Sequence, residues 1–237
     1  MNKVITEETP LSEKDCFYMM DRDKEAFTYP LHKHEAMELN FVEHCDGARR
    51  IVGDSIEVLG KYDLVLVGSG LEHTWDQYDC KSHSIHEITI QFPPDLLGEQ
   101  FLAKNQLSSL RALFHNAKRG VAFELDTIME LYSKITSITQ AQPGFYRMLK
   151  LLEILYELSL KENYHLLASR SFSNVKKTPE SVRVRQVEEY IDMHYKKEIR
   201  LKTLSDIAEM TPAAFSRYFR TKTGKTVSDY IIDIRLG

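Results

Sequence analysis

The sequence has few cysteines, no long apolar run and no leader-like amino terminus, and each shortage excludes a class of protein. Its three cysteines, Cys16, Cys45 and Cys80, are too few and too widely spaced for a disulfide framework or a CxxC metal site. No apolar stretch approaches the roughly 20 residues that cross a bilayer, and no basic segment followed by an apolar core opens the chain. We therefore expect a cytoplasmic protein with reduced thiols and no membrane partner.

Internal repeats and low-complexity tracts are also absent. The 237 residues are 43% apolar and 28% charged, which is the balance of a folded globular chain and excludes a disordered or collagen-like one. A chain of this length suits one large domain or two ordinary ones.

The net charge of -4 is unevenly distributed along the chain. Residues 181–237 contain 11 Lys and Arg against 8 Asp and Glu, a net charge of +3, which leaves -7 for the residues before them. A mildly basic segment attached to an acidic body indicates an anionic partner at the carboxy-terminal end.

Short β-type segments fill residues 27–92 and are separated by turn signals such as Asp-Gly and Gly-Ser-Gly. They are rich in Val, Ile, Leu and aromatic residues, and their close spacing predicts a sandwich or a barrel. The segments are MELNFVEH, RRIVGD, SIEVL, DLVLVG and SIHEITIQF.

After Pro93 and Pro94 the apolar period changes to that of helices, predicted near 107–117, 128–138 and 145–163. The third helix has too many apolar positions for one covered face, so we expect it to be covered on two sides. The β region covers one side of this helix, and the other side is covered either by the same chain or by a second subunit. We expect a homodimer formed through helices between residues 105 and 163, with Leu152 or Leu155 in the interface.

A polar, aperiodic segment at 169–181 predicts a linker, after which two short capped helices are predicted. The hydroxyl and acid of Thr203 and Asp206 have the spacing of a capping box, which predicts a helix at 204–210. Thr211 followed by Pro212 predicts the start of another helix after a short turn.

The second of these helices has two different faces. Phe215 and Phe219 form its inner face, and the outer face carries four residues at helical spacing: Ala213, Ser216, Arg217 and Arg220. Two short helices with exposed arginines on the second describe a helix-turn-helix, in which arginines bind guanine or phosphate. The alternative is that these arginines only solvate a surface.

The segment LSDIAEMTPAAFSRYFRTKTGKTVSDYIIDIRLG closely resembles the first of the two helix-turn-helix units of AraC/XylS-family transcription regulators. The resemblance covers residues 184–237. The resemblance implies promoter DNA as a partner, RNA polymerase as well if the protein is an activator, and DNA-facing positions at Ala213, Ser216, Arg217 and Arg220. Phosphate contacts are expected from Lys196, Lys197, Lys222 and Lys225. Family members continue into a second unit, so we expect this chain to be a truncated form.

In the β region, His32, His34 and Glu38 have the same parity, so one extended strand would project all three from one face. Together with His73 they could enclose a first-row divalent metal. The pattern resembles the two motifs of the cupin barrel, HxHxxxE and a second motif ending in His73, although three turn positions differ: Ala26, Tyr62 and Gly68.

In AraC/XylS regulators the amino-terminal cupin-like domain is a sensor, and its histidines line an effector pocket or remain as structural remnants. Whether this quartet binds an unknown small-molecule effector, a divalent metal or neither is left open. Trp75 shares the side of His73 on a regular strand, where it either packs in the core or stacks on a ligand.

The leading hypothesis is a DNA-binding transcription regulator of α+β class without catalytic residues. Its expected parts are a cupin-like sensor β-barrel at 1–98, a helical dimerisation region at 99–168, the linker at 169–181 and an all-α AraC-type unit at 182–237. The alternative is a metal-dependent cupin enzyme, a dioxygenase or isomerase using the quartet, with the carboxy-terminal helices as an accessory domain.

Overall fold

The computed structural model describes residues 4–170, 172, 187, 190–191, 194–195, 197, 199–223 and 225–236 of the chain. It contains both sheets and helices and divides into two compact units, Met1–Ser173 and Asn174–Gly237. The α+β class is therefore confirmed. Most of the segment 169–181 lies outside the described residues, and the finer domain boundaries stay predictions.

Two β-sheets form the body of the first unit. The strands are β1 Ile5–Thr6, β2 Tyr18–Lys24, β3 His32–Lys33, β4 Met37–Glu43, β5 Arg49–Val52, β6 Ser55–Val58, β7 Tyr62–Val67, β8 His73–Asp76, β9 Ile85–Phe92, β10 Val121–Phe123 and β11 Tyr164–Leu166. Sheet A has five strands in the order β1-β3-β8-β5-β6, and sheet B has six in the order β11-β10-β7-β4-β9-β2. Among the described residues no ladder closes the two sheets into one ring, so closure of the expected barrel is not confirmed.

The central strands of sheet B, β4 and β9, are covered on both faces. They pair antiparallel with Glu38 opposite Gln91 and Asn40 opposite Thr89. Because side chains alternate along a strand, Met37, Leu39 and Phe41 point to the apolar core on the helix side, whereas Glu38 and Asn40 point towards sheet A.

Helices cover the outer face of sheet B, as the apolar stripes predict. They are α1 Glu99–Leu102, a 3-10 turn Asn105–Leu107, α2 Ser108–Ala117, α3 Leu125–Ser137 and α4 Phe145–Ser159. The region 99–168 is nevertheless not wholly helical, since it contributes β10 and β11 to sheet B. Runs of three residues are too short to show a strand period in the sequence.

Helix α4 has one buried face and one exposed face. Leu151, Ile154, Leu155 and Leu158 are fully buried in the core of the first unit, whereas Phe145, Leu149 and Tyr156 are exposed. The expectation that Leu155 lies in a subunit interface is therefore wrong, because this side chain is directed into the core of its own chain.

Three helices of the second unit are described in full backbone: α5 Leu201–Ile207, α6 Pro212–Thr223 and α7 Val227–Leu236. Their core contains Phe215 and Phe219, which are both fully buried, together with Leu204 and Ala208. None of the helices among the described residues is long and apolar enough to cross a membrane.

The helix starts of the second unit agree only in part with the predicted caps. Helix α5 begins at Leu201, so the capping box at Thr203 is wrong: that residue lies inside the helix. The Thr211 cap is confirmed, since its hydroxyl accepts a hydrogen bond from the amide of Ala214 at 3.4 Å. Thr226 caps α7 in the same way, since its hydroxyl accepts a hydrogen bond from the amide of Asp229 at 3.2 Å.

A histidine joins three elements on the helix side of sheet B. His86 on β9 lies 2.7 Å from Glu43 on β4 and 2.7 Å from Asp21 on β2. The hydroxyl of Tyr132 on α3 donates to the same Glu43 at 2.9 Å. Partial burial lowers the pKa of His86, but hydrogen bonds and charges from both carboxylates outweigh it and hold this pKa above its ordinary value.

We predict that His86 stabilises the fold at acidic pH. Because its pKa is higher in the folded protein than in the unfolded one, the stabilisation is complete below about pH 6.5 and is lost as pH rises through the raised pKa. His86→Gln should lower the free energy of unfolding by up to about 1 kcal/mol at pH 6 and by less at pH 9. Urea unfolding of both proteins across this range, with the exposed His83→Gln as control, measures the difference. The same deficit at both pH values would contradict the prediction.

Candidate functional site

Three histidines and one glutamate meet between the two sheets. His32 on β3 lies directly opposite His73 on β8 in sheet A, His34 follows β3, and Glu38 comes from β4 of sheet B. One ligand atom from each lies within 4.8 Å of the others, and all four residues are buried. The structure thus brings the predicted quartet together. The expected single strand is wrong, because the chain crosses from one sheet to the other between His34 and Glu38.

Backbone carbonyl groups orient the three imidazole rings. The Nδ1 atoms of His32, His34 and His73 lie 2.8–2.9 Å from the carbonyl oxygens of Pro30, Ala36 and Leu71, respectively. A carbonyl can only accept a hydrogen bond, so each Nδ1 carries a proton. In the neutral ring this leaves the Nε2 lone pair as the free ligand atom.

Glu38 sets the electrostatics of the cluster. Its Oε2 lies 3.0 Å from His34 Nε2, and its Oε1 lies 3.7 Å from His73 Nε2. Burial raises the pKa of Glu38, but the hydrogen bond from His34 and the nearby imidazole of His73 outweigh burial and hold this pKa well below its ordinary value. Burial also lowers the pKa of His34, yet hydrogen bonding to Glu38 and its charge raise it overall. Burial, with His73 adding to it, lowers the pKa of His32 to about 4.

We predict that two neighbouring histidines titrate in opposite directions from the ordinary value in the metal-free protein. His34 should titrate above 6.5 and His32 near 4. Glu38→Gln should lower the pKa of His34, because the charge that offsets its burial is removed. Imidazole resonances followed by NMR against pH measure this, with Glu8→Gln as the exposed acidic control. A His34 pKa that does not change in Glu38→Gln would show that Glu38 is not the cause.

The quartet fits a divalent metal by its chemistry. Among the described residues, the buried Nε2 of His73 has no hydrogen-bond partner, which is the environment a metal ion would complete. Three imidazole nitrogens and one carboxylate are ligands that first-row divalent metals accept. The carbonyl groups that hold each Nδ1–H are the usual outer partners of metal-bound histidines.

A cavity of about 110 Å³ adjoins the cluster between the sheets. This volume is several times the about 10–15 Å³ that one water molecule needs, so the cavity has room for a small ligand. Its wall combines aromatic and ionisable side chains. The lining residues are Glu7, Met20, Arg22, Lys24, Phe27, Tyr29, His32, Glu38, Asn40, Thr74, Trp75, Glu87, Thr89 and Gln91.

Two cations face one carboxylate on the sheet B wall. The buried Glu87 accepts hydrogen bonds from Arg22 at 2.7 and 2.9 Å, from Lys24 at 2.8 Å and from Asn40 at 3.2 Å. Arg22 and Lys24 outnumber Glu87 on this wall, but Glu7 and Glu38 also line the cavity, so the cavity suits a polar ligand group. None of the four residues in this hydrogen-bonded group around Glu87 is among those predicted from the sequence.

A signal for this wall is present in β9. Glu87, Thr89 and Gln91 alternate with Ile88 and Ile90 along a strand that is buried over nearly its whole length. Polar side chains at every second position of a strand buried on both faces indicate a polar cavity on one side.

Trp75 packs in a core cluster and also lines the cavity. Its indole N–H donates to the buried Asp63 at 2.7 Å, and Asp63 also pairs with Arg50. The polar edge of the indole ring therefore already has a hydrogen-bond acceptor within the protein. Its ring lines the cavity, 6.1 Å from the ring of His73.

The expected DNA-facing residues lie along one side of α6, opposite Phe215 and Phe219. Ala213, Arg217 and Arg220 are exposed, and Ser216 is partly exposed. No ion pair joins either arginine to another described residue. Of the expected phosphate contacts, Lys197 and Lys225 are exposed, whereas Lys196 and the side chain of Lys222 lie outside the described residues.

Comparisons with known proteins give structural neighbours alone: no protein-family model matches the chain, and no curated protein does. An apo ToxT variant from Vibrio cholerae strain SCE256 is 11% identical, with 92% of this chain and 98% of that chain covered and a TM-score of 0.41. Fatty-acid-bound ToxT from the same strain is 13% identical, with 93% and 97% covered and a TM-score of 0.36. The AraC-like transcriptional activator CuxR is 9% identical, with 93% and 72% covered and a TM-score of 0.38. At this level of likeness, function has to be argued from the residues of the chain itself.

Proposed function

We propose that the chain is a transcription regulator of the AraC/XylS type, in which α5 and α6 form a helix-turn-helix that binds promoter DNA. The observation that carries the proposal is the outer face of α6, where two arginines alternate with small residues opposite a fully buried aromatic face. It agrees with the sequence resemblance over 184–237.

The packing of α6 supports this role. Phe215 and Phe219 are anchored against α5, and residues 208–211 form a short turn between the two helices. The opposite face is therefore held outward by the core of the unit. The small Ala213 and Ser216 allow close approach to a major groove, and the guanidinium groups can donate paired hydrogen bonds to guanine.

We predict that Arg217→Ala and Arg220→Ala reduce sequence discrimination. A duplex enriched from a random pool by the wild-type chain is compared with its scrambled version by fluorescence anisotropy at low salt. Each variant should lose about 1–3 kcal/mol of preference for the enriched duplex. Lys225→Ala should instead weaken binding to both duplexes and reduce the salt slope by about one.

Lys104→Ala, an exposed lysine of the first unit, is the matched control and should bind like wild type. If the wild-type chain bound both duplexes equally, the proposed base recognition would be wrong.

The first unit is proposed to be the sensor, with a cupin-like arrangement of facing sheets. The quartet would hold a divalent cation, which supplies a Lewis-acidic centre for a polar ligand. Arg22 and Lys24 would bind an acidic group of the effector, and Trp75 would close the cavity against the core. Coupling to DNA requires only that the effector bind one state of the protein better, typically by about 1–3 kcal/mol.

The homodimer is proposed to form through the exposed stripe of α4. Phe145, Leu149, Leu152 and Tyr156 are spaced by four, three and four residues, which is the spacing of a coiled-coil seam. Three of them are exposed and Leu152 is partly buried. A second copy of the same helix offers the matching stripe.

We predict that Leu149→Glu yields a folded monomer, because the change places a charge in the seam without entering the core. Light scattering over micromolar concentrations measures the mass, and circular dichroism verifies folding. Phe101→Glu, an equally drastic change at an exposed residue of α1, should remain dimeric. A wild-type monomer at high micromolar concentration would contradict the dimer.

A metal-dependent cupin enzyme is the second candidate, and the histidine quartet is the observation that favours it. Measurements of metal binding and of sequence-selective DNA binding distinguish the two functions. Metal binding without any sequence-selective DNA binding favours the enzyme, and selective DNA binding favours the regulator.

A further inference from the structure

We propose that Glu7, outside the cupin-like motifs, is a fifth donor at the histidine cluster, which makes the site suited to a six-coordinate cation such as Mn²⁺ or Fe²⁺. This inference rests on the proposed metal site and names an additional residue and the class of cation.

The amino-terminal strand delivers Glu7 to the cluster. β1 runs parallel to β3 with Ile5 opposite His32, and the amide of Glu7 donates to the carbonyl of Lys33 at 2.9 Å. This register places Glu7 Oε2 at 3.4 Å from His32 Nε2 and 3.9 Å from His34 Nε2. The carboxylate of Glu7 thus arrives with sheet A, whereas that of Glu38 arrives with sheet B.

Two buried acceptor atoms in this cluster have no hydrogen-bond partner among the described residues: Glu7 Oε2 and His73 Nε2. The nearest imidazole cannot satisfy Glu7 in its neutral form, because His32 donates its only N–H, on Nδ1, to Pro30. Leaving a carboxylate oxygen buried without a donor is unfavourable, and a divalent cation would satisfy both acceptors at once.

The number and type of donors select the cation. The quartet alone supplies four ligands, which suits tetrahedral Zn²⁺. A second carboxylate oxygen raises the set to three nitrogens and two oxygens, with a sixth position left for water or effector. Added carboxylate ligands suit Mn²⁺, and mixed imidazole and carboxylate sets with an open position suit Fe²⁺.

The test compares Mn²⁺ and Zn²⁺ binding in the chelator-stripped full chain. Free Mn²⁺ is followed by electron paramagnetic resonance, and Zn²⁺ is followed by competition with a fluorescent chelator. We expect one Mn²⁺ per wild-type chain, at least tenfold weaker Mn²⁺ binding in Glu7→Gln, and a much smaller effect on Zn²⁺. Glu8→Gln is the matched control, since Glu8 is the exposed neighbour on the same segment.

A second measurement does not depend on a variant. Hydrogen exchange of residues 4–9 in the wild type should slow when Mn²⁺ is added, because the cation ties Glu7 to the cluster. The double variant His34→Ala/His73→Ala should bind neither metal.

The outcomes separate the two proposals. Equal Mn²⁺ affinity in wild type and Glu7→Gln, or no change in exchange at residues 4–9, would overturn the role of Glu7 while leaving the metal site. No binding of either metal by the wild type would overturn the metal site, and the role of Glu7 with it.

Discussion

The first unit depends on a charge that has to be satisfied far from water. Glu38 is almost fully buried, and an ionised carboxylate in such a place is stable only if donors surround it. Gln91 donates to it at 3.1 Å within sheet B, whereas His34 reaches it from sheet A. The charge therefore requires both sheets to be present and in register, and any ligand of the cavity enters the same network.

The two faces of sheet B differ in polarity and in what they contact. The face towards the helices is apolar and packs against the buried side chains of α2, α3 and α4. The face towards sheet A carries the polar wall of the cavity. β4 and β9 contribute side chains to both faces. A displacement of these strands by a ligand in the cavity would therefore reach the packing against the helices, including the helix with the proposed dimer seam.

A chain of polar contacts also runs from the cavity wall towards the end of the first unit. Trp75 bonds Asp63, which pairs with Arg50, and Arg50 pairs with Glu57. Glu57 lies 3.2 Å from His165 on β11, shortly before the chain leaves the unit. The contacts connect the cavity wall to β11, near the carboxy-terminal end of the first unit.

The sequence by itself determined the parts that depend on short periods and local caps. The main strands of 37–92, the helices α2 to α4, the Thr211 cap and the division of α6 into a Phe face and an arginine face follow from nearest-neighbour spacing. Tertiary structure alone decided the rest. β10 and β11 are too short to be recognised, α5 begins before its apparent capping box, and Leu155 faces the core of its own chain. The quartet shows the difference most clearly: parity suggested one strand, but His32 and Glu38 belong to opposite sheets, and Glu7 joins them through a strand pairing that no sequence motif encodes. Pairing between distant segments is set by the free energy of the whole packed unit, so local patterns predict which residues are eligible for a site and not which of them meet.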